Sequence, residues 1–314
     1  MQGATAIGLG RPGSASSSLD GDLPNEAGVG FTSSIECGGR TEILGCQIDP
    51  VDLEQALAVC EDAIRSGGLT QHMAINVAKL VAMQDDERLR HSVSQCELVT
   101  ADGQPVVWAS RLLRAPLPAR VAGIDLMGGL LVRAAQRGYR VYILGARAEV
   151  LERAVGRMRT AHPGLELAGY RDGYFADADE AEVASAIAQA HADILFVAIS
   201  SPRKEYFLAR HRETLGVPFV MGVGGAIDIY AGITRRAPEL LQRIGLEWLF
   251  RLAQEPRRLF GRYLRSNTRF IVLLSRELVR SRRAAPLETS VRYGAVGEMT
   301  STAAIEDRRR EGRV

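Results

Sequence analysis

The sequence predicts an α/β protein: a mostly parallel sheet with helices on both faces, followed by a C-terminal helical appendage. Three observations carry that prediction. Short apolar runs alternate with helical patterns between residues 41 and 223, which is the pattern of strands joined by crossover helices. Several of these runs end in Gly or Asp-Gly, as strands do where a parallel sheet turns into a helix. Beyond Pro238 the pattern is wholly helical, and it is basic.

The elements follow in order. Residues 1–40 are rich in Gly, Ser and Ala without periodicity and read as a disordered tail. They hold the letters of a dinucleotide fingerprint, Gly8-Leu9-Gly10-Arg11-Pro12-Gly13. No strand leads into it, and Pro12 stands where a helix should open. The core begins near Thr41, with residues 42–48 as one strand. Asp52 caps a helix that carries Leu53, Ala56, Leu57, Cys60 and Ile64 on one face and closes at Gly67-Gly68. Residues 72–76 form a short strand, and 77–83 and 88–94 are helical. The strand 98–101 leads into Asp102-Gly103, and Pro105 suits the first turn of the next helix. Asp125 opens a helix that stops at Gly138. Strands at 140–144, 165–170, 193–199 and 218–223 then alternate with helices at 149–159, 180–190 and 204–214. That alternation is Rossmann-like. Pro256 starts a helix with Leu259, Phe260, Tyr263, Leu264, Phe270, Ile271 and Leu274 apolar and arginines between them. The expected organisation is a tail over 1–40, an α/β core over 41–244, a basic amphipathic appendage over 245–283 and a second disordered tail over 284–314.

Charge is distributed unevenly. The net charge is +2, yet residues 235–283 carry thirteen arginines against Glu239, Glu247, Glu255 and Glu277. That local excess of nine suits a membrane surface, a nucleic acid or a phosphorylated substrate. Cys37, Cys46, Cys60 and Cys96 form no C-x-x-C pair, so they read as reduced thiols of a cytosolic protein rather than a zinc site. The first residues lack the basic-then-apolar order of a signal peptide. No apolar run approaches the roughly 20 residues that span a bilayer; the best covers 270–274.

Asp102 is the sharpest single residue. It follows a strand end, where ligands of open α/β sheets bind, and a carboxylate there can act as general base on a sugar hydroxyl. Taken alone, it reads first as an Asx turn that caps the helix over 104–113. Gly145 ends another strand, and Gly222-Val223-Gly224-Gly225 ends a third. Glycines there let backbone N–H groups approach an anion. Ser200 to Glu205 opens a helix whose N-terminus, Arg203 and Lys204 suit a diphosphate. Asp177 and Asp179 have metal-pair spacing but stand where a helix cap belongs. No metal site is expected, and His72, His91, His162, His191 and His211 form no motif.

These stretches together resemble the WecG/TagA/CpsF family of bacterial glycosyltransferases. The likeness rests on Asn76 in Met-Ala-Ile-Asn-Val-Ala-Lys-Leu-Val, on Thr100-Ala101-Asp102-Gly103, and on Arg120 to Leu126 with Asp125. It continues through Gly145, Ser201-Pro202-Arg203-Lys204-Glu205 and Gly222 to Asp228 with its Gly224-Gly225 pair. Arg235-Arg236-Ala237-Pro238, Leu246 to Leu252 and Gln254-Glu255-Pro256 complete it, so about 41–280 is covered. The resemblance implies inverting transfer of a sugar from a UDP-sugar to a saccharide on a polyprenyl diphosphate, without a metal or other cofactor. It implies Asp102 as base and Asn76 and Arg120 in the pocket. It places Arg251, Arg258 and Arg262 in an appendage that docks on the anionic inner face of the cytoplasmic membrane and completes the active site. The products of such enzymes are cell-surface polysaccharides. Ala74 stands where relatives often carry Thr, and Arg203-Lys204 where they commonly read Lys-Gln. The donor sugar is therefore open, with an exopolysaccharide-type glucosyltransferase as plausible as a mannosaminyl one. Solution homo-oligomers are compatible with an exposed amphipathic appendage. Two rivals remain: an arginine-rich nucleic-acid module, against which the interleaved Leu, Phe and Trp count, and a nicotinamide oxidoreductase, which needs the full glycine fingerprint missing at Gly145.

Overall fold

A computed structural model describes residues 39–284 of the chain. Residues 1–38 and 285–314 of the two expected tails lie outside the described residues, as do the side chains of Arg258 and Arg262, while Arg40 at the edge of the first pairs with Asp49 at 2.9 Å. The chain opens with a correction. Residues 42–48 are not one strand but a hairpin of β1 (Thr41–Ile43) and β2 (Cys46–Ile48). Leu44 and Gly45 form its two-residue turn, both with positive φ, 50° and 77°. That is the combination a twisted hairpin needs, and the leucine hides it among apolar residues.

The core elements follow the expected alternation. After α1 (Leu53–Ser66) come β3 (Thr70–Ile75), α2 (Val77–Ala82), α3 (Glu87–Ser94), β4 (Leu98–Ala101) and α4 (Gln104–Leu112). Then come α5 (Gly123–Arg137), β5 (Arg140–Gly145), α6 (Ala148–Ala161), β6 (Glu166–Arg171) and, past a 3-10 turn at Asp177–Asp179, α7 (Glu180–Gln189). The series ends with β7 (Ile194–Ala198), α8 (Arg203–Leu215), β8 (Phe219–Gly222), α9 (Ala226–Tyr230), α10 (Glu239–Arg243), α11 (Glu247–Gln254) and α12 (Pro256–Ala284). Asp52 caps α1 as expected, with a reciprocal bond from its own N–H to Gln55.

Six strands form one sheet in the order β4-β3-β8-β7-β5-β6, every neighbouring pair parallel. Both faces are buried, which is why the strands read as continuous apolar runs. Val141, Ile143, Ile194, Phe196, Phe219 and Met221 point to the side covered by α1, α5, α6 and α9. Tyr142, Leu144, Leu195, Val197 and Val220 point to the side of α7 and α8. A third cluster lies around Met73, Ile75, Leu80, Val99 and Val106, and Phe270 of α12 is buried in it with Leu273 and Leu274 alongside. Burying a side chain of that size contributes roughly 2–3 kcal/mol. The appendage is thereby packed on α2, where Arg269 also pairs with Asp85.

Candidate active site

A wholly parallel sheet brings all its carboxyl ends to one edge, and the sequence-predicted residues gather there. Asn76 follows β3, Asp102 follows β4, Gly145 closes β5 and Gly222 closes β8. The register sets Ile75 beside Ala101, so Asn76 and Asp102 are neighbours. The Asp102 N–H donates to the Ile75 carbonyl at 2.7 Å, and the Val121 N–H donates to the Ala101 carbonyl at 2.9 Å. The second bond brings Arg120 to the same corner. Asn76 itself caps α2, its Oδ1 accepting from the Lys79 N–H at 3.0 Å.

The structure decides between the two readings of Asp102 as far as capping goes. The residue before α4 is Gly103, at φ 137°, and no side chain caps the helix. Were Asp102 the cap, Pro105 would stand third in the helix, with no N–H to offer. The half-buried carboxylate has no hydrogen bond or ion pair among the described residues. Burial raises its pKa above the ordinary carboxylate value. The Arg251 charge opposes that rise, Glu247 adds to it, and Arg120 and Lys79 oppose it.

One wall of the site is a chain of alternating charges. Arg251 lies 3.2 Å from Glu247, and Glu247 lies 2.7 Å from Arg120. Arg120 is 3.8 Å from Asp125, which meets Arg236 at 2.5 Å. Three arginines thus share two carboxylates, and α11 is tied to the core through Glu247. The Gln254 amide strengthens the tie: it accepts from the Arg235 N–H and donates to the Arg235 carbonyl, each at 3.0 Å.

The floor is a second ionic group. Lys79 Nζ stands 3.0 Å from Glu205 Oε1, and Lys204 Nζ stands 3.4 Å from the same oxygen. All three side chains are buried. Burial alone would raise the Glu205 pKa, but the Lys79 and Lys204 ammoniums outweigh it and hold it at about 2. Beneath them His72 shares a 2.8 Å hydrogen bond with Thr100. Burial, then the charges of Lys79 and Lys204, keep its imidazole neutral with a pKa of about 3.

The other end of the edge is closed. Gly145 has φ 126°, and a Cβ there would stand 2.4 Å from the Ala198 carbonyl carbon. Arg203 donates to the Phe175 carbonyl at 2.6 Å and lies over the Phe175 ring, so in this structure its guanidinium holds the loop before α7. Asp179 accepts from the Ala176 N–H at 3.2 Å, and Asp177 lies 3.4 Å from Arg203. In the turn after β8, Gly224 takes φ 48° and Gly225 leads into α9. Asp228 lies in that helix, its carbonyl accepting from the Ile233 and Thr234 N–H groups.

Asp102, Asn76, Arg120, Arg251, Lys204 and Glu205 therefore belong to one region, with Asp125 behind Arg120. Gly145 and Arg203 belong to the closed end. Sequence reasoning missed Lys79, Glu247 and Arg236. A lysine inside the apolar stretch Val77-Ala78-Lys79-Leu80-Val81-Ala82 was a signal, because a buried ammonium demands a partner. Nothing local marked Glu247, whose partner lies 127 residues away.

A bacterial protein of Bacillus spizizenii (strain ATCC 23059 / NRRL B-14472 / W23), an N-acetylglucosaminyldiphosphoundecaprenol N-acetyl-beta-D-mannosaminyltransferase, is 38% identical to this chain over 177 residues. That match covers 56% of this chain and 68% of the relative. Residues 41–284, the whole of the described core and appendage, match the Glycosyl transferase WecG/TagA/CpsF family, and the chain belongs to that family.

Proposed function

We propose that this glycosyltransferase moves a sugar, with inversion, from a UDP-sugar to a saccharide carried on a polyprenyl diphosphate, with Asp102 as general base. The observation that carries the reading is the Asp102 carboxylate, without a hydrogen bond or ion pair among the described residues, at the sheet's carboxyl edge beside Arg120 and Arg251. The acceptor hydroxyl would give its proton to Asp102 as its oxygen attacks the anomeric carbon. The bond to the diphosphate oxygen breaks and leaves its electron pair on the diphosphate. Such a base contributes about 10²–10⁴-fold. The negative charge growing on the leaving group is met by Arg120, Arg251 and Lys204, which supports a metal-independent transfer. Arg258 and Arg262 join that set on sequence grounds alone.

The name of the Bacillus relative supports the lipid-linked acceptor. The donor sugar stays open, because Ala74 and Lys204 differ from the family's common residues. Docking on an anionic membrane is supported by α12, which leaves Phe260, Leu264 and Ile271 exposed on one face with Arg257 and Arg265 nearby. Each basic residue at such a surface contributes roughly 1 kcal/mol. Among the described residues no helix is long and apolar enough to cross a membrane. Against the nucleic-acid alternative, Arg236, Arg251 and Arg269 pair with carboxylates of the protein itself, and the outward Arg257 and Arg265 flank an apolar face, as a lipid surface requires.

The test is UDP release from a panel of UDP-sugars with detergent-dispersed polyprenyl-diphosphate acceptors, with and without EDTA. Acceptor-dependent release from one donor, unchanged by EDTA, is expected. Absence of release from every donor would sink the reading.

A further inference from the structure

Beneath the carboxyl edge of the sheet, where ligands of such folds sit in a crevice, two ammonium groups contact one carboxylate, and the Asp102 carboxylate faces Lys204 without an ion pair to it. Lys79 and Lys204 both approach Glu205 Oε1, at 3.0 and 3.4 Å, and Glu205 is fully buried. A buried ammonium with three donors that meets one acceptor oxygen at 3.4 Å is under-satisfied, and an anion oxygen arriving there relieves that. The two lysines are not equivalent. Lys79 makes the shorter ion pair and its Nζ also lies 2.9 Å from Met73 Sδ, so it is enclosed. Lys204 runs over Gly222 at the carboxyl edge of the sheet: a Cβ on Gly222 would stand 2.5 Å from its Cε and 2.8 Å from its Nζ. A methyl at that position would push the end of the Lys204 side chain aside. The groups facing Lys204 are Lys79 from α2, Glu205 from its own helix and Asp102 from the end of β4. His72 of β3 also feels its charge.

We propose that Lys204 is the anion-receiving group of this crevice: its ammonium, threaded over Gly222, takes an oxygen of a phosphate or carboxylate on the sugar donor, and does so only while protonated. The inference rests on the glycosyl-transfer reading above and deepens it. Burial, then the Lys79 charge, pulls the Lys204 pKa down to about 8, while Glu205 and Asp102 push the other way. The charge that receives the anion is therefore present below pH 8 and lost above it.

The experiment is calorimetric binding of UDP, UDP-N-acetylglucosamine and UDP-glucuronate to the full chain at pH 7 and pH 9, for the native protein, K204M and G222A. At pH 9 about one Lys204 in ten stays charged, so the native protein should bind about tenfold more weakly than at pH 7. K204M should bind weakly at both values. G222A should follow it, since the added methyl displaces the ammonium. It retains the lysine and so carries the test should K204M not fold. The ligand's own ionisation is common to all three proteins, so the difference between them isolates Lys204. Loss with all three ligands assigns the anion to the diphosphate, and loss with UDP-glucuronate alone assigns it to a carboxylate on the sugar. Native binding with the same pH dependence as both variants would overturn the inference and leave the transfer reading standing. No binding of any donor by the native protein would overturn both.

Discussion

At the β5–β7 end of the sheet edge, backbone meets backbone. The Ala146 N–H donates to the Ala198 carbonyl at 3.1 Å, the Gly173 N–H donates to the Ala146 carbonyl at 2.9 Å, and Arg203 closes the loop against Phe175. At the β3–β4–β8 end, charged side chains outnumber their partners. Lys79 and Lys204 share Glu205, Arg120, Arg236 and Arg251 share two carboxylates, and the Asp102 carboxylate has no hydrogen bond or ion pair among the described residues. Both ends follow strands of one parallel sheet, so topology offers both to a ligand. The difference is that the first end satisfies its polar groups internally, whereas the second leaves charge for a ligand to satisfy. Buried polar groups are normally paired, and the place where pairing fails is where chemistry is expected.

The largest test of that contrast is Asp102→Asn. It removes a charge that has no hydrogen bond or ion pair among the described residues, so the melting temperature should stay put while kcat falls about 10²–10⁴-fold. A melt together with single-turnover transfer checks both halves. Full activity would remove Asp102 from the mechanism. The raised pKa of Asp102 has a further consequence. As the proposed base it would work only when ionised, so the acid limb of the rate profile should lie above the ordinary carboxylate range.

Glu205→Gln attacks the same end through stability. It strands two buried ammoniums, and breaking a buried ion pair from one side costs about 3–5 kcal/mol. Urea denaturation at neutral pH measures the loss. The pH dependence has a definite sign. The unfolded chain protonates this carboxyl near its ordinary 4.5, and the folded chain resists until about 2. Its stabilisation is therefore complete above pH 4.5 and is lost as pH falls from there to about 2. At the closed end, Gly145→Ala combines a φ of 126° with a Cβ 2.4 Å from the Ala198 backbone. It should cost about 2–3 kcal/mol, measured in the same way. A smaller loss than from Glu205→Gln is expected, and a neutral outcome would show that the closed end is looser than its geometry implies.

Much of this was legible in the sequence, and what was not has physical reasons. The strand that ends at Ala101 and the Asp-Gly after it fixed the place of Asp102, because strand length and turn chemistry are local. Its freedom from capping was half legible: Pro105 has no N–H to donate. The hairpin turn was missed because Leu44 is an apolar residue in a conformation that glycine or asparagine usually takes. The chain from Arg251 through Glu247 and Arg120 to Arg236 joins segments more than a hundred residues apart. No periodicity records which arginine meets which carboxylate. Arg203 and Lys204 are adjacent in sequence yet serve opposite ends of the edge, a division set by the direction of each side chain at the start of α8.

The smallest expected effect belongs to Asp177→Ala. Asp177 is 84% exposed by its side chain and lies 3.4 Å from Arg203. A pair so open to solvent contributes about 0.5 kcal/mol or less. Arg203 keeps its 2.6 Å bond to the Phe175 carbonyl without it, so stability should barely move. Transfer activity should also hold, with or without EDTA, if the closed end serves structure alone. A tenfold loss of activity that added divalent cation restores would bring Asp177 and Asp179 into the chemistry, and the two ends of the edge would then have to be read as one site.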